Sequence, residues 1–530
     1  MSYLILFITI ICIIGSALWT SWSVILLDYI ATPYGEVSIF MSGWFLFPQI
    51  FAIIFGTDIG TKLFFALILM ASAYLWVLFA REISREFHFK NQQILEIFWW
   101  FFFLLNPFAY ERMIVQPVIY LGIICLGYVM FFLFFKKNWK KYIYAWVFAW
   151  IAFNLFLHAS YMIAIIFGLY LIFFVRSWRE LGSVALGGIV AMMMNLNWIL
   201  APFFGYTNSV STISSFSLAN LEAFRTQALA PLDVWSTNIL LYGFWGERYS
   251  NHYVNVGFLS SLWYVAGFLF FVLVGFGIYM LYKSKKKIAY ILLLIWFLSL
   301  IFGIGIASSV TSGLTNWMIE NVPLWQGYRE PQKWIGLLMI VEGIGFLIWL
   351  GYILDRWGKD WVMRVSAIIV TTFLFLIWSP GPLLGYHGQL RTTVYPESFE
   401  VFRSEMIPSF SGRILALPWH SYIWCKWISR SVVANPITGL LAPLPVVSSD
   451  NIEVGSILYS NSQTGQSRDI EKFVWGGDVS LLRTHGFTHI FLMRSCASSP
   501  KMEDILNQGV QSGALIQEKI DDAYIFYRIQ

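Results

Sequence analysis

The sequence predicts an all-α domain that crosses the membrane many times, followed by a small α/β domain. Apolar residues make up 58% of the 530 residues and charged residues only 12%, whereas a soluble domain carries roughly 25% charged residues. About eleven segments are apolar over nearly the length that a membrane span needs. From residue 381 onwards the apolar segments give way to short strand-like runs separated by loops.

The candidate spans divide residues 1–380 into apolar segments and mostly short loops. They lie at about residues 3–20, 62–80, 94–107, 117–135, 142–158, 160–175, 183–204, 256–282, 287–306, 334–354 and 361–380. The segment 37–56 is also apolar, but Gly43 and Pro48 interrupt it, so we interpret it as a re-entrant or interfacial helix. The first segment has neither a basic start nor a cleavage site, which favours an uncleaved span over a secretory signal.

The loops differ in their content of lysine and arginine. One set of alternate loops holds sixteen of these residues, and the other set, up to residue 386, holds six over longer loops. Because basic loops stay in the cytoplasm, the sequence predicts a cytoplasmic N-terminus. With eleven spans, residues 381–530 then form an extracytoplasmic domain. Its strand-like runs include Arg413–Leu417, Thr488–Leu492 and Ala523–Ile529, with a helix over Val479–Gly486, which predicts an α/β fold.

The four cysteines do not have the CxxC spacing of zinc or redox sites. Cys425 and Cys496 can pair if the C-terminal domain faces an oxidising compartment, and the sequence leaves both this pairing and free thiols open. The sequence contains no phosphate-cradling glycine loop, no zinc-ligand spacing and no G-x-S-x-G motif. These absences argue against an ATPase or a metalloprotease, and the lack of an outer basic stripe argues against a nucleic-acid partner.

Asp28 is a carboxylate among apolar residues in the first outer loop. An ionisable group at the membrane boundary costs free energy unless something compensates for it. One reason to keep it there is catalysis, since a carboxylate beside a lipid-borne substrate can take the proton of an attacking hydroxyl. The alternative is a helix cap or an interfacial carboxylate exposed to water.

The segment Tyr328–Trp334 places two cations, Arg329 and Lys333, at the outer end of a predicted span. A guanidinium, an ammonium and free backbone N–H groups near a helix N-terminus suit a phosphate. The alternative is that Arg329 pairs with Glu330, or with another outer carboxylate, and holds the loop.

The segment Asn106–Arg112 predicts a structural turn, because Asn-Pro ends a helix well, and Arg112 is a candidate for a further anion contact. Candidates for substrate contacts are His158, Glu247 with Arg248, and Trp325. A lone histidine in a tight turn is more often structural, and an interfacial aromatic belt explains the surroundings of Glu247 equally well.

Four segments occur in an order that resembles a known family: Asn106–Arg112, Asn195–Pro202, Tyr328–Trp334, and Arg413–Trp419 with Asn435-Pro436. The layout is similar to C-type (GT-C) membrane glycosyltransferases that use polyprenyl-phosphate sugars. The nearest likeness is to the α-(1→3)-arabinofuranosyltransferase-like family. The tail is too short for the carbohydrate-binding modules of its large members, so neither arabinose nor an arabinan acceptor is implied.

The resemblance implies inverting transfer of a sugar from polyprenyl phosphate to a cell-envelope glycan, lipid or protein at the outer face of the membrane. It implies an acidic base in the first outer loop, here Asp28, with Glu36 and Asp58 as substitutes. Arg329 and Lys333, with Arg112, would hold the donor phosphate. Some C-type enzymes use a divalent cation, although the sequence shows no ligand cluster for one. The alternatives are a lipid-linked sugar flippase without a base and a non-catalytic envelope-assembly subunit.

Overall fold

A computed structural model describes most of the chain. It covers residues 23–24, 32, 43–196, 218–249, 260–323, 325–357, 360–379, 381, 386, 389, 392–428, 432–449, 452–454, 457–459, 465–497 and 499–530. For residues 23–24, 43–46, 218–220, 248–249, 260, 452–454, 457–459 and 499–500 it describes the backbone alone.

The described part of the chain is mostly helical. Its α-helices are α1 Gly43–Phe55, α2 Thr57–Glu86, α3 Gln92–Leu104, α4 Pro107–Val115, α5 Pro117–Phe135, α6 Lys141–Leu155, α7 Ala159–Phe174, α8 Trp178–Met193, α9 Leu218–Ala223, α10 Val234–Ile239, α11 Ser260–Ile304, α12 Ser309–Asn321, α13 Ile335–Arg356, α14 Trp361–Trp378, α15 Glu397–Met406, α16 Ile437–Leu440, α17 Gly465–Gly476, α18 Ser480–Arg483 and α19 Ser499–Gln511. Short 3₁₀ helices cover Trp245–Tyr249, Gly305–Ala307, Trp325–Arg329 and Pro331–Trp334.

The strands are short, and all of them except the first lie late in the chain. They are β1 Ser23–Val24, β2 Thr392–Thr393, β3 Ile414–Leu417, β4 Tyr422–Ile423, β5 Val433–Ala434, β6 Val446–Val447, β7 Ile452–Val454, β8 Ile457–Tyr459, β9 His489–Met493, β10 Leu515–Ile520 and β11 Tyr524–Ile529. The chain divides into two compact units, whose main parts are Phe65–Gln389 in the first and Phe45–Phe64 with Leu390–Gln530 in the second. The predicted division into a membrane domain, 1–380, and an extracytoplasmic domain, 381–530, stays a prediction.

Five helices of the described residues are long and apolar enough to cross a membrane. They cover Thr57–Glu86, Pro117–Phe135, Ser261–Ala307, Pro331–Arg356 and Trp361–Trp378. The last of them leaves large apolar side chains such as Ile369, Val370 and Phe373 exposed, which suits contact with lipid rather than water. The chain is therefore an integral membrane protein, while the count of about eleven spans stays a prediction.

The longest of these helices, α11, combines two of the predicted spans. Its backbone leaves the helical region at Lys285, where φ is −139° and ψ is 61°. The two arms therefore meet at a kink in the basic stretch that was expected to be a loop. Other predicted spans are shorter helices, such as the 13 residues of α3 and the 16 residues of α8.

In the first unit, α11 packs closely against α13. A Cβ atom on Gly277 would lie 1.7 Å from the carbonyl oxygen of Gly345. Small residues let membrane helices approach until their backbones touch, and here they allow the crossing. This contact fixes α13, the helix that continues from the Tyr328–Trp334 segment.

The second unit contains a five-stranded mixed sheet in the order β10-β11-β9-β3-β6. The pairs β10–β11 and β11–β9 are antiparallel, and β9–β3 and β3–β6 are parallel. These strands and the helix α18 confirm the predicted runs at Arg413–Leu417, Val479–Gly486, Thr488–Leu492 and Ala523–Ile529. The small C-terminal α/β region is therefore present.

Both faces of this sheet are covered, because strand residues alternate between faces. Ile414 and Ala416 of β3 belong to one hydrophobic cluster, with Phe402 of α15. Leu415 and Leu417 belong to the opposite cluster, with residues of α17, α18 and α19. A strand buried on both faces reads as a continuous apolar run rather than an alternating one, as β3 does.

The structure pairs Cys425 with Cys496 in a disulfide within the second unit. The two cysteines are 71 residues apart in sequence, and both belong to the buried hydrophobic cluster that contains Phe402. The structure thus settles the pairing that the sequence left open. Cys125, in α5, is a buried free thiol.

We expect the double variant Cys425→Ser, Cys496→Ser to lose about 4 kcal/mol of stability, because the disulfide closes a long loop in the unfolded chain. Thermal unfolding of the full chain in detergent measures the loss. Thiol alkylation of denatured, unreduced wild-type protein, read by mass spectrometry, provides the control. Cys125 must be labelled while Cys425 and Cys496 are not, and labelling of all three would refute the disulfide.

Candidate functional site

Helix α4 begins at a tight turn that Asn106 and Pro107 form. The Asn106 side chain accepts a hydrogen bond from the Ala109 N–H at 2.9 Å and donates to the Phe102 carbonyl at 2.8 Å. Proline at the first helical position is pre-organised for a helix start. The motif therefore has the structural role expected for it, and it places Glu111 and Arg112 on the second turn of α4, with both side chains fully buried.

The segment Tyr328–Trp334 is not one helix. Two 3₁₀ turns, Trp325–Arg329 and Pro331–Trp334, meet at Glu330 before α13 begins. Proline cannot continue a helix from the preceding residue, which explains the break. As a result, the Glu330 and Lys333 side chains both lie in the protein interior, with 7% and 3% of their surface exposed.

Glu330 is the shared partner of two cations. One of its carboxylate oxygens lies 3.5 Å from Lys333 Nζ and 3.8 Å from Arg112 Nη1. Arg112 also lies 2.7 Å from Glu111, through Nη2, and donates a hydrogen bond to Gln116 Oε1 at 3.0 Å. We call the buried residues Glu111, Arg112, Glu330 and Lys333, together with the partly buried Arg329, the buried charge cluster.

Arg329 directly precedes Glu330 in the chain, and its side chain is only partly buried. Its guanidinium stacks over the Phe224 ring, 4.6 Å from the centroid, and its charge helps to lower the pKa of Glu330. Gln332, two residues after Glu330, donates hydrogen bonds to the Phe224 carbonyl at 2.9 Å and to Thr226 Oγ1 at 3.1 Å. The polar contacts around Phe224 therefore hold the same segment that carries the cations.

His158 connects the start of α7 to this segment. Its Nε2 lies 2.8 Å from the Gly327 carbonyl and 3.3 Å from Lys333 Nζ. A carbonyl only accepts, so Nε2 carries the proton and the approach of Lys333 is not a hydrogen bond. The Tyr328 hydroxyl donates to the His158 carbonyl. These contacts give His158 a structural role beside the cluster, and substrate contact stays a prediction.

Positive charge exceeds negative charge in the cluster. Burial alone raises the pKa of Glu330, but Lys333, Arg112 and Arg329 outweigh it and lower that pKa to about 2. Burial raises the pKa of Glu111 to about 7, opposed by Arg112 and reinforced by Glu330 and Glu247. Below about pH 7, where Glu111 is mostly protonated, Arg112, Arg329 and Lys333 therefore face one ionised carboxylate within the cluster, that of Glu330.

The hydrogen bonding of Arg112 is incomplete as well. Its Nε and Nη2 donate no hydrogen bond within the part of the chain that the structure describes. A buried guanidinium without its full set of acceptors is costly. An anion bound beside Arg112 would supply both the missing acceptors and the missing negative charge.

The remaining substrate candidates have other surroundings. Trp325 is buried against the rings of Tyr161, Tyr328 and Trp334, with centroids 4.9 to 6.0 Å apart. Glu247, in the first unit, accepts a hydrogen bond from the Tyr242 hydroxyl. The side chain of Arg248 lies outside the described residues. For Trp325 the structure adds a packing role, and the predicted substrate contacts are not tested.

The predicted catalytic base is also untested. Asp28 and Glu36 lie outside the described residues. Asp58 lies in the second unit, at the start of α2, where its carboxylate is 2.5 Å from Lys62 Nζ one turn later. Among the described residues, no three His, Cys, Asp or Glu side chains are grouped as a metal ion would need.

The sequence pointed to the cations of the cluster, but not to the ion pairs that its two carboxyl groups form. It named Glu330 only as a partner for Arg329, whereas the close ion pairs in the structure join Glu330 to Lys333 and Arg112. It did not single out Glu111, which precedes Arg112 directly. Two adjacent opposite charges close to an Asn-Pro helix start indicate an ion pair in the sequence. Only the fold shows that both side chains are buried.

The comparisons with known proteins bear on the fold. No protein-family model and no curated protein matches the chain. The arabinofuranosyltransferase AftD from Mycobacteria matches 100% of the chain at a TM-score of 0.64 and 10% identity, and the chain spans 40% of its length. ArnT from Cupriavidus metallidurans, solved with undecaprenyl phosphate bound, matches 99% of this chain and 97% of its own at a TM-score of 0.51 and 11% identity.

The chain has the fold of the C-type membrane glycosyltransferases. At these identities the likeness concerns the fold. This likeness confirms, for the fold, the resemblance that the order of the four sequence segments indicated. Within this C-type fold, the buried charge cluster is the strongest candidate for a functional site among the described residues.

We expect Glu330→Gln to lower the free energy of unfolding by about 3–5 kcal/mol, because Arg112 and Lys333 would stay buried without their shared carboxylate. Thermal unfolding in detergent measures the loss. Glu222→Gln is the matched control, since Glu222 is exposed and pairs with Arg225 at 3.1 Å, an interaction worth at most about 1 kcal/mol. Equal effects of the two substitutions would contradict the central role of Glu330.

The lowered pKa of Glu330 predicts a pH dependence of stability. Because the pKa of about 2 in the folded protein is below the ordinary value of 4.5, the carboxylate stabilises the fold fully above pH 4.5. That contribution decreases as the pH falls towards 2. Wild type should therefore lose stability over this range more steeply than Glu330→Gln, and parallel pH profiles of unfolding would show that Glu330 has no lowered pKa.

Proposed function

We propose that this protein is an inverting C-type glycosyltransferase. It takes a sugar from a polyprenyl-phosphate donor and transfers it to a glycan, lipid or protein of the cell envelope at the outer face of the membrane. The observation that carries this proposal is the excess of buried positive charge around Glu330, in a fold like that of ArnT, which binds undecaprenyl phosphate.

The donor phosphate fits the chemistry of the cluster. It is an anion on a lipid carrier, and Arg112, Arg329 and Lys333 belong to a unit with membrane-length helices. Arginine offers a planar fork of donors and lysine a compact ammonium, and both are common phosphate ligands. Arg112 supplies donors that make no hydrogen bond among the described residues.

The reaction is a displacement at the anomeric carbon of the donor sugar. The acceptor hydroxyl oxygen forms the new bond and gives its proton to a carboxylate base. The bond between the anomeric carbon and the phosphate oxygen breaks, and the polyprenyl phosphate leaves with the electron pair. Its added negative charge develops beside Arg329 and Lys333, and fixed charges at such a position commonly contribute 10²–10³-fold in rate.

We assign the base to Asp28, in the first outer loop, with Glu36 and Asp58 as substitutes. Of these, Asp58 forms an ion pair with Lys62 at 2.5 Å. The outer location is supported by the Cys425–Cys496 disulfide, since disulfides persist in oxidising compartments. On this basis residues 381–530 face outwards, and with eleven spans the N-terminus lies in the cytoplasm.

We expect Arg329→Gln and Lys333→Gln each to reduce sugar transfer by about 10²-fold, because each removes a charge from beside the leaving phosphate. The assay offers labelled polyprenyl-phosphate sugars and cell-envelope glycans to purified protein in lipid. Arg225→Gln is the control, since Arg225 is an exposed arginine of the same unit and has no place in the mechanism. Full transfer by both cluster variants would remove the cluster from the reaction.

Asp28→Asn should abolish transfer while donor binding persists, because it removes the base and leaves the cluster intact. Binding of labelled donor and sugar transfer are measured on the same preparation. Transfer that survives this change moves the base to Glu36 or Asp58. If wild type moves a lipid-linked sugar across the bilayer without transferring it, the protein is a flippase, and if it binds without either activity, it is an assembly subunit.

A further inference from the structure

Glu111 has no part in the mechanism above, although it belongs to the same buried cluster. Its side chain is fully buried on α4, and neither carboxyl oxygen accepts a hydrogen bond within the described part of the chain. Its close partner is Arg112, whose Nη2 lies 2.7 Å away. A buried carboxyl group without hydrogen bonds is expensive to keep, so its presence here calls for a reason beyond packing.

The charged groups that face Glu111 come from three elements. Arg112 lies on its own helix, Glu330 lies between the two 3₁₀ turns, and Glu247 lies in the Trp245–Tyr249 turn. One cation thus opposes two carboxylates, which themselves engage Lys333 and the Tyr242 hydroxyl. This arrangement, together with burial, leaves Glu111 easily protonated, with a pKa of about 7.

Glu111 therefore competes with any anion for the guanidinium of Arg112. When its carboxyl is ionised, it occupies Nη2, one of the two donors that make no hydrogen bond elsewhere. When it is protonated, the guanidinium keeps its charge and loses its nearest counter-ion. A phosphate that approaches Arg112 adds negative charge beside Glu111, and a nearby like charge favours the protonated carboxyl.

We propose that Glu111 is an internal counter-ion of Arg112, which the donor phosphate displaces, so that donor binding takes up a proton on Glu111. This inference rests on the proposed function, because it takes the lipid phosphate as the ligand. Glu111 is a positioning residue: it acts through Arg112 and does not touch the reacting atoms. It keeps Arg112 compensated in the empty site and releases it when the donor enters.

The test needs a ligand whose own charge is constant. Phosphate monoesters titrate near pH 6, so the probe is the methyl phosphodiester of undecaprenyl phosphate, which carries one charge throughout the range. Its affinity for the purified full-length protein in detergent is measured from pH 5.5 to 8.5. Proton uptake is measured by calorimetry in two buffers that differ in ionisation enthalpy.

In wild type, we expect the affinity to fall above about pH 7, by up to tenfold per pH unit, which is the limit for one linked proton. Calorimetry should show uptake approaching one proton per ligand at pH 8 and close to none at pH 5.5. This second measurement needs no variant. Binding without proton uptake at pH 8 would overturn the inference even if every variant failed to fold.

Glu111→Gln should bind the probe with an affinity that is nearly independent of pH, and about tenfold or more tightly than wild type at pH 8.5. Glu111→Asp keeps a titrating carboxyl and should restore the pH dependence. The matched control is Glu342→Gln, a fully buried glutamate on α13 that accepts a hydrogen bond from Trp296 Nε1 at 3.0 Å. It should keep the wild-type profile.

The outcomes separate this inference from the function that it rests on. If wild type does not bind the probe at any pH, the lipid-phosphate function fails, and the inference fails with it. If wild type binds and Glu111→Gln, correctly folded, keeps the wild-type pH dependence, only the role of Glu111 is wrong. A purely structural role for Glu111 would change the unfolding temperature and leave the slope of affinity against pH unaltered.

Discussion

The carboxylate of Glu330 is the interaction on which the site depends, because it is the ionised group that pairs with two buried cations, Lys333 and Arg112. Ion pairs at 3.5 and 3.8 Å gain roughly 4 kcal/mol each at the effective dielectric of a protein site. Removing each ion from water costs several kcal/mol. The pairs therefore do not hold the cluster together by themselves, and the surrounding scaffold has to impose it.

That scaffold can be traced through local contacts. Asn106 caps α4 and directs Arg112 inwards, and the break at Pro331 turns Glu330 and Lys333 towards it. The close approach at Gly277 holds α13 against α11. The 3₁₀ turn that leads into α13 is therefore fixed at its C-terminal end. The packing of a membrane helix pair thus positions a charge cluster that would be unfavourable on a flexible loop.

The sequence predicted the parts of this arrangement that depend on neighbours in the chain. The Asn-Pro turn and the strands around Ile414 and Leu492 could be read from local patterns. The pairing of Glu330 with Arg112 could not be predicted, because Arg112 lies more than two hundred residues earlier in the chain. Its approach to Glu330 depends on tertiary packing. The kink at Lys285 could not be predicted either, since a basic stretch between two apolar segments is equally typical of a loop.

The two carboxyl groups of the cluster differ in acidity because of which charges surround each one. Glu330 touches two cations and lies near a third, whereas Glu111 touches one and faces two carboxylates. Two acids of the same type in one site thus acquire separate roles through their environments, as in many enzymes. Glu330 stays ionised and fixes the cations in place. Glu111 can change its charge near neutral pH, so the same scaffold can accommodate Arg112 both with and without an external anion.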